Sequence, residues 1–131
     1  MNGESEILYD TSALIELFLG SDKGEVVKEL FVDENTANLV PSVVLLELIS
    51  KITRAGKDPK RFVALIEQNC TVLALTSEIA KNAGNLHAEL KKKDKQISMA
   101  DCVIMAHAEI ENALIVSKDQ HFKHYKNSKI L

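Results

Sequence analysis

Residues 97–122, ISMADCVIMAHAEIENALIVSKDQHF, contain the change of period that decides the fold. The first part is apolar almost all the way round and opens on Ser98 with an acid three residues later, which predicts a buried helix over 98–111. After a short connection comes ALIVS (113–117), a brief aliphatic run of the kind that forms a buried strand. The strand stops at a charged cluster, with Asp119 at its end. That carboxylate at the end of so apolar a segment calls for an explanation.

The opposite end of the chain has the same shape. In ILYDTSALIE (7–16) an apolar run is followed by Asp10, two hydroxyl residues and a helical pattern. Between these ends, EILY (6–9), ANLVP (37–41) and TVLAL (71–75) read as further short strands, and NSKIL (127–131) as a last one. Helices are predicted over 11–20, 24–33, 42–55, 59–69 and 77–92, with start signals at Ser42, Asp58-Pro59 and Thr76 or Ser77. Alternating strands and helices imply an α/β fold with a parallel β-sheet flanked by α-helices. No internal repeat or Pro/Gly/Ser-rich linker divides the chain, so residues 1–131 are expected to form a single domain. The hydrophilic ELKKKDKQ (89–96) reads as a helix end running into an exposed loop.

Composition narrows the setting. With 131 residues, 46% of them hydrophobic and 27% charged, the chain is long enough to bury a core without staples. Two cysteines, Cys70 and Cys102, provide neither a disulfide framework nor C-x-x-C spacing, and the N-terminus shows no signal segment. The expected setting is a reducing cytoplasm. No apolar run approaches the roughly 20 residues that cross a bilayer, so no membrane role is expected. A net charge of −3 argues against broad coating of nucleic acid and leaves room for local basic patches.

Ligands of open parallel α/β sheets bind outside the carboxyl ends of the strands. Four carboxylates are candidates for that edge, and each also has an ordinary explanation. Asp10 suits the N-cap of the helix containing Ala13, Leu14, Leu17 and Phe18, and taken alone that is its first reading. Asp119 suits a turn after a strand. Glu47, beside Ser50, Lys51 and Arg54 and opposite a side formed by Leu45, Leu46, Leu48, Ile49 and Ile52, suits an i,i+4 pair with Lys51. Asp101 suits a capping box with Ser98, although it shares its side with Ile104, Met105 and Ala108, where an ionised carboxylate needs a partner.

Taken together the four say more. A parallel sheet brings them to one edge, where they repel and raise one another's pKa unless a cation neutralises them. Oxygen ligands without paired His or Cys at zinc spacing select Mg²⁺, or Mn²⁺, over Zn²⁺. The four histidines are scattered; His121 and His124 fall near the rim, where core or surface roles compete with a role as partners. Mg²⁺ characteristically bridges carboxylates and substrate phosphate, which points to phosphodiester chemistry. Neither a Ser-His-Asp arrangement nor a glycine-rich phosphate loop competes with this reading.

The ordered set ILYDTSALIE, VPSVVLLELISKI and ISMADCVIMAHAEIENALIVSKDQHF resembles the successive motifs of the PIN-domain family, especially its small VapC-type toxins. The resemblance covers nearly the whole chain. It implies a three-layer α/β/α fold and Mg²⁺-dependent endoribonuclease activity. Carried over by position, it makes Asp10, Glu47, Asp101 and Asp119 an acidic metal-binding quartet, Asp10 and Asp101 as principal ligands directly or through water and Glu47 and Asp119 completing the site, with Ser12 and Ser117 as hydroxyls that orient the quartet or a water. It also implies an RNA substrate, a homodimer and a small antitoxin partner. Lys51 and Arg54 on one side, and Lys91, Lys92 and Lys93 on the other, are candidate phosphate contacts or simply solvated surface. A stand-alone RNA-processing nuclease and a catalytically silent binding module remain alternatives. A receiver-type signalling domain fits poorly, because LYDTS has one acid where that fold needs a pair and LALTSE has no Asp.

Overall fold

The computed structural model describes residues 5–131. Its strands are β1 (Ser5–Tyr9), β2 (Thr36–Pro41), β3 (Thr71–Leu73), β4 (Leu114–Ser117) and β5 (Ser128–Ile130). They form one sheet in the order β3-β2-β1-β4-β5. Every pairing is parallel; Leu8 of β1 lies in register with Leu39 on one side and Ile115 on the other. The central strand β1 is therefore the point where the chain order reverses, and a crevice opens between the ends of β1 and β4.

Six α-helices flank the sheet: α1 (Thr11–Leu19), α2 (Asp22–Phe31), α3 (Ser42–Arg54), α4 (Lys60–Asn69), α5 (Ser77–Leu90) and α6 (Met99–Glu111). The predicted α/β architecture is thus observed. Helix α2 begins two residues earlier than its periodicity suggested, because Ser21 Oγ accepts a hydrogen bond from the Gly24 amide at 3.0 Å and caps it. Likewise Thr76 caps α5. Strand β3 ends at Leu73 rather than residue 75, and Leu75 is 51% exposed. A short 3-10 helix, η1 (Gln120–His124), which the sequence pattern did not announce, links β4 to β5.

The core sits between the sheet and its helices. Ile7, Leu8 and Tyr9 of β1 and Ile115 and Val116 of β4 are buried, as the aliphatic runs required. Helix α6 is buried continuously from Cys102 through Ala108, which explains why its sequence lacks a polar face. Helix α3 corrects its predicted pattern. Val44 and Leu48 face the core, whereas Leu46 is 65% exposed and Ile49 36%, so the inward face is narrower than the apolar composition suggested. Helices α1 and α2 meet closely at Gly24, where a Cβ would lie 2.0 Å from the Glu16 carbonyl oxygen.

Candidate active site

The carboxyl ends of β1 and β4 hold Asp10 and the segment from Ser117 to Asp119. Asp10 stands at the N-cap position of α1, yet its side chain makes no capping hydrogen bond. The ordinary reading of this residue therefore fails. Its Oδ2 instead accepts from Ser117 Oγ at 2.7 Å and Ser12 Oγ at 3.0 Å, with the carboxylate buried. Ser117 Oγ also accepts from the Asp119 amide at 2.9 Å, and Ser12 Oγ from the Lys118 amide at 3.0 Å. The two hydroxyls lie 3.2 Å apart. Hydroxyls serve here because each donates to the carboxylate and still accepts from the backbone. They tie β1 to β4 across the crevice.

Glu47 reaches the same region from α3. It does not pair with Lys51; Thr11 Oγ1 donates to its Oε1 at 3.1 Å. Burial pushes the Glu47 pKa up, with Asp10 and Asp101 adding to the rise and the Thr11 hydrogen bond and Lys51 opposing it. Thr11 carried no functional expectation; the only hint was its place beside Asp10 in a helix-opening DTS.

Asp101 forms the expected capping box, its Oδ2 accepting from the Ser98 amide at 3.1 Å while its own amide donates to Ser98 Oγ at 3.0 Å. One carboxyl oxygen is left over. Burial raises the Asp101 pKa, the Ser98 hydrogen bonds lower it, Asp119 raises it and His121 lowers it. Asp119 likewise makes the expected turn, with Oδ1 accepting from the His121 amide at 2.9 Å. Capping and turn chemistry thus fix the orientation of these acids while leaving each an oxygen free.

Asp101, Asp119 and His121 each offer one ligand atom, and these lie within 4.8 Å of one another. His121 Nε2 is 4.0 Å from Asp119 Oδ1, and its Nδ1 hydrogen-bonds Asp94 Oδ2, which also meets His124 Nε2 at 3.0 Å. The hydrogen bond to Asp94, opposed by desolvation and aided by Asp119, raises the His121 pKa. Asp94, inside the lysine-rich loop, was missed; its partners are 27 and 30 residues away, and no local pattern connects them.

The donor set fits a divalent cation. Carboxyl oxygens predominate, and burial pushes Glu47 and Asp101 toward the neutral form, aided by Asp10 and Asp101 for Glu47 and by Asp119 for Asp101, a cost that a cation removes. The basic candidates are placed differently from one another. Lys51 and Arg54 are exposed on α3 beyond Glu47, with Arg54 Nε donating to Ser50 Oγ at 3.2 Å. Lys91 turns back to the carbonyls of Lys95 and Ile97 and closes the loop, Lys92 approaches Glu89 at 3.8 Å, and Lys93 is exposed.

Comparisons with known proteins bear on the fold and the family. Similar solved structures include VapBC2 from Rickettsia felis bound to a promoter DNA fragment, at 22% identity and TM-score 0.75, covering 96% of this chain and 97% of that one. A toxin-antitoxin complex from Klebsiella pneumoniae gives 18% identity and TM-score 0.74, covering 94% and 95%. VapC20 from Mycobacterium tuberculosis, a sarcin-ricin loop cleaving toxin, gives 16% and 0.69, covering 90% and 93%. At these identities the likeness establishes the fold. No curated protein sequence matches significantly. The PIN domain family model matches residues 7–127, nearly the full chain, and the protein belongs to the PIN domain family.

Proposed function

We propose that the protein is a Mg²⁺-dependent endoribonuclease and the toxin of a toxin–antitoxin pair. What supports this reading is a shared neighbourhood: Ser12 and Ser117 hold Asp10 and Thr11 holds Glu47, burial and then Asp10 and Asp101 push the Glu47 pKa up, and Asp101 and Asp119 offer ligand atoms within 4.8 Å of one another. Membership of the PIN family supports nuclease chemistry, and similar solved structures include toxin–antitoxin complexes and a toxin that cleaves the sarcin-ricin loop.

Asp101 and Asp119, whose ligand atoms lie within 4.8 Å of one another, would hold the cation in place of the expected Asp10 and Asp101 pair, with Asp10 and Glu47 completing its surroundings directly or through water. A divalent ion held there would supply Lewis-acid chemistry, acidifying the attacking water and countering charge on the leaving oxygen. The chain's own residues set the geometry. Ser117 and Ser12 fix the Asp10 carboxylate, the α6 N-terminus fixes Asp101, and Thr11 aims Glu47, the carboxylate that accepts a proton from the attacking water. Lys51, Arg54 and Lys93 contact RNA phosphates electrostatically, whereas Lys91 and Lys92 act chiefly on the loop.

The partners belong to the same proposal: a small antitoxin, and a second copy of the chain in a homodimer. Leu46 and Met99, 65% and 70% exposed and next in sequence to Glu47 and Ser98, supply apolar surface that such association buries. Among the described residues no helix is long and apolar enough to cross a membrane, and both thiols are free, in keeping with a cytoplasmic site of action.

The test is cleavage of a panel of structured and single-stranded RNAs with Mg²⁺, Mn²⁺ or chelator, beside Asp101→Asn. Cleavage is expected only with metal and to fall by about 100-fold or more in the variant, since loss of even an outer-shell partner costs 10–100-fold. A folded, metal-binding protein that cuts none of the RNAs at any concentration would move the assignment to a binding module.

A further inference from the structure

The acidic quartet leaves unexplained why a histidine ring stands against it and why a carboxylate in the lysine loop holds that ring. Asp94 Oδ2 meets His121 Nδ1 and His124 Nε2 together. An ionised carboxylate only accepts, so both ring nitrogens that face it carry their protons. Hydrogen bonding to His121, opposed by desolvation and aided by His124, holds the Asp94 pKa below the usual carboxylate value. The proton on His121 Nδ1 leaves Nε2 as the ring's available donor atom, and Nε2 is the nitrogen that faces Asp119. The ring is held at both ends of its short segment, since the His121 amide also donates to Asp119 Oδ1 at 2.9 Å.

An imidazole whose far nitrogen donates to a carboxylate is the arrangement that metal-ligating histidines adopt, because the partner fixes the tautomer and the ring plane. An octahedral ion with bonds of about 2.1 Å separates adjacent ligand atoms by about 3 Å and opposite ones by about 4.2 Å. The ligand atoms of Asp101, Asp119 and His121, all within 4.8 Å of one another, reach that spacing with small side-chain rotations.

We propose that His121 Nε2 is a ligand of the divalent cation held by Asp101 and Asp119, positioned by Asp94, and that this nitrogen biases the site toward Mn²⁺ over Mg²⁺. The inference rests on the metal-site reading above and adds to it a ligand outside the quartet. Mg²⁺ gains little from an imidazole and keeps oxygen ligands, whereas first-row transition ions accept the nitrogen. Asp94 acts on the metal only through the ring, so it is a positioning residue. His124 shares Asp94 and braces it.

Mn²⁺ binding to the full chain is measured by loss of the free-ion electron paramagnetic resonance signal, and Mg²⁺ binding by competition. Wild type, His121→Ala, Asp94→Asn and Asp101→Asn are compared. Pulsed spectra of the Mn²⁺-loaded protein report directly on a coordinated nitrogen. In wild type that nitrogen coupling is expected, and it disappears in His121→Ala. Mn²⁺ affinity falls by about 10-fold or more in His121→Ala, and by about 10-fold in Asp94→Asn, while Mg²⁺ affinity changes by less than about 3-fold. Absence of the coupling in wild type, or an unchanged Mn²⁺ to Mg²⁺ ratio in His121→Ala, overturns the proposal. Asp101→Asn separates the two levels of the argument. If it removes binding of both ions while wild type shows no nitrogen coupling, only the His121 ligand is refuted; if it leaves both affinities unchanged, the metal-site reading fails as well.

Discussion

Ser117→Ala should be the most damaging single-oxygen deletion in this protein. Ser117 is fully buried, and its hydroxyl makes two contacts that no other group replaces: it donates to Asp10 Oδ2 at 2.7 Å and accepts from the Asp119 amide at 2.9 Å. A hydrogen bond to a charged acceptor contributes about 1.5–3 kcal/mol, and a neutral one about 0.5–1.5 kcal/mol. Asp10 keeps its bond from Ser12, which limits the loss, so the expected destabilisation is about 2–4 kcal/mol. Ser12→Ala provides the comparison. Ser12 also donates to Asp10 and accepts from a backbone amide, but it is only half-buried, and water can take its place; about 1 kcal/mol is expected. Urea unfolding with chelator present removes the stabilisation that a bound ion would add. With a slope of about 2 kcal/mol per molar, the midpoint should drop by about 1–2 M for Ser117→Ala and about 0.5 M for Ser12→Ala. Equal costs, or a larger cost for Ser12→Ala, would refute the claim that the buried hydroxyl is what joins β1 to β4.

Two further perturbations test other parts of the fold. Gly24→Ala should destabilise by about 1–3 kcal/mol, because the added Cβ lands 2.0 Å from a backbone oxygen of the neighbouring helix; Gly84→Ala, with nothing within 4 Å, should stabilise by about 0.5–1 kcal/mol, and thermal melts of the pair will show opposite shifts or sink the close-approach argument. His107 is buried on α6 with Nε2 unpartnered among the described residues, and burial lowers its pKa below the ordinary 6.5. As pH falls below about 6.5 the unfolded chain takes up a proton that the folded chain refuses, so folded stability declines with falling pH, by up to about 1.4 kcal/mol per unit. In His107→Leu this decline disappears, and unfolding free energies of variant and wild type should diverge between pH 7.5 and 5.5; parallel curves would show that the ring takes up its proton freely in the folded state.

Strands and helices were legible because their signals are local. The aliphatic run at 113–117 and the capping box at Ser98 each sit within a few residues, and the structure places β4 and the start of α6 accordingly. The four carboxylates stand out as candidates because Asp10 and Asp119 follow strands, Asp101 opens α6 and Glu47 lies in the helix after β2. What decides the use of each was not local. Asp10 looked like an N-cap until Ser117, 107 residues later, took its carboxylate, and Glu47 looked ready for Lys51 until Thr11 donated from another helix. Asp94 was hidden among lysines because both of its histidine partners come from η1. Leu46 and Ile49 mislead in the opposite sense: apolar residues on a helix signal burial, and these two remain in contact with solvent.

The placement of β4 beside β1 has a consequence for the order in which the molecule comes into being. A ribosome that has made Asp10 must add more than a hundred residues before Ser117 and Asp119 exist to meet it. Until then β1 lacks its second neighbour, and two of the four acids are absent or unanchored. A growing chain, or one cut short before residue 114, therefore carries no assembled centre while still attached to the machinery that produced it. The pairing of β4 with β1 makes synthesis of residues 114–119 the step that completes the hydrogen-bond network around Asp10.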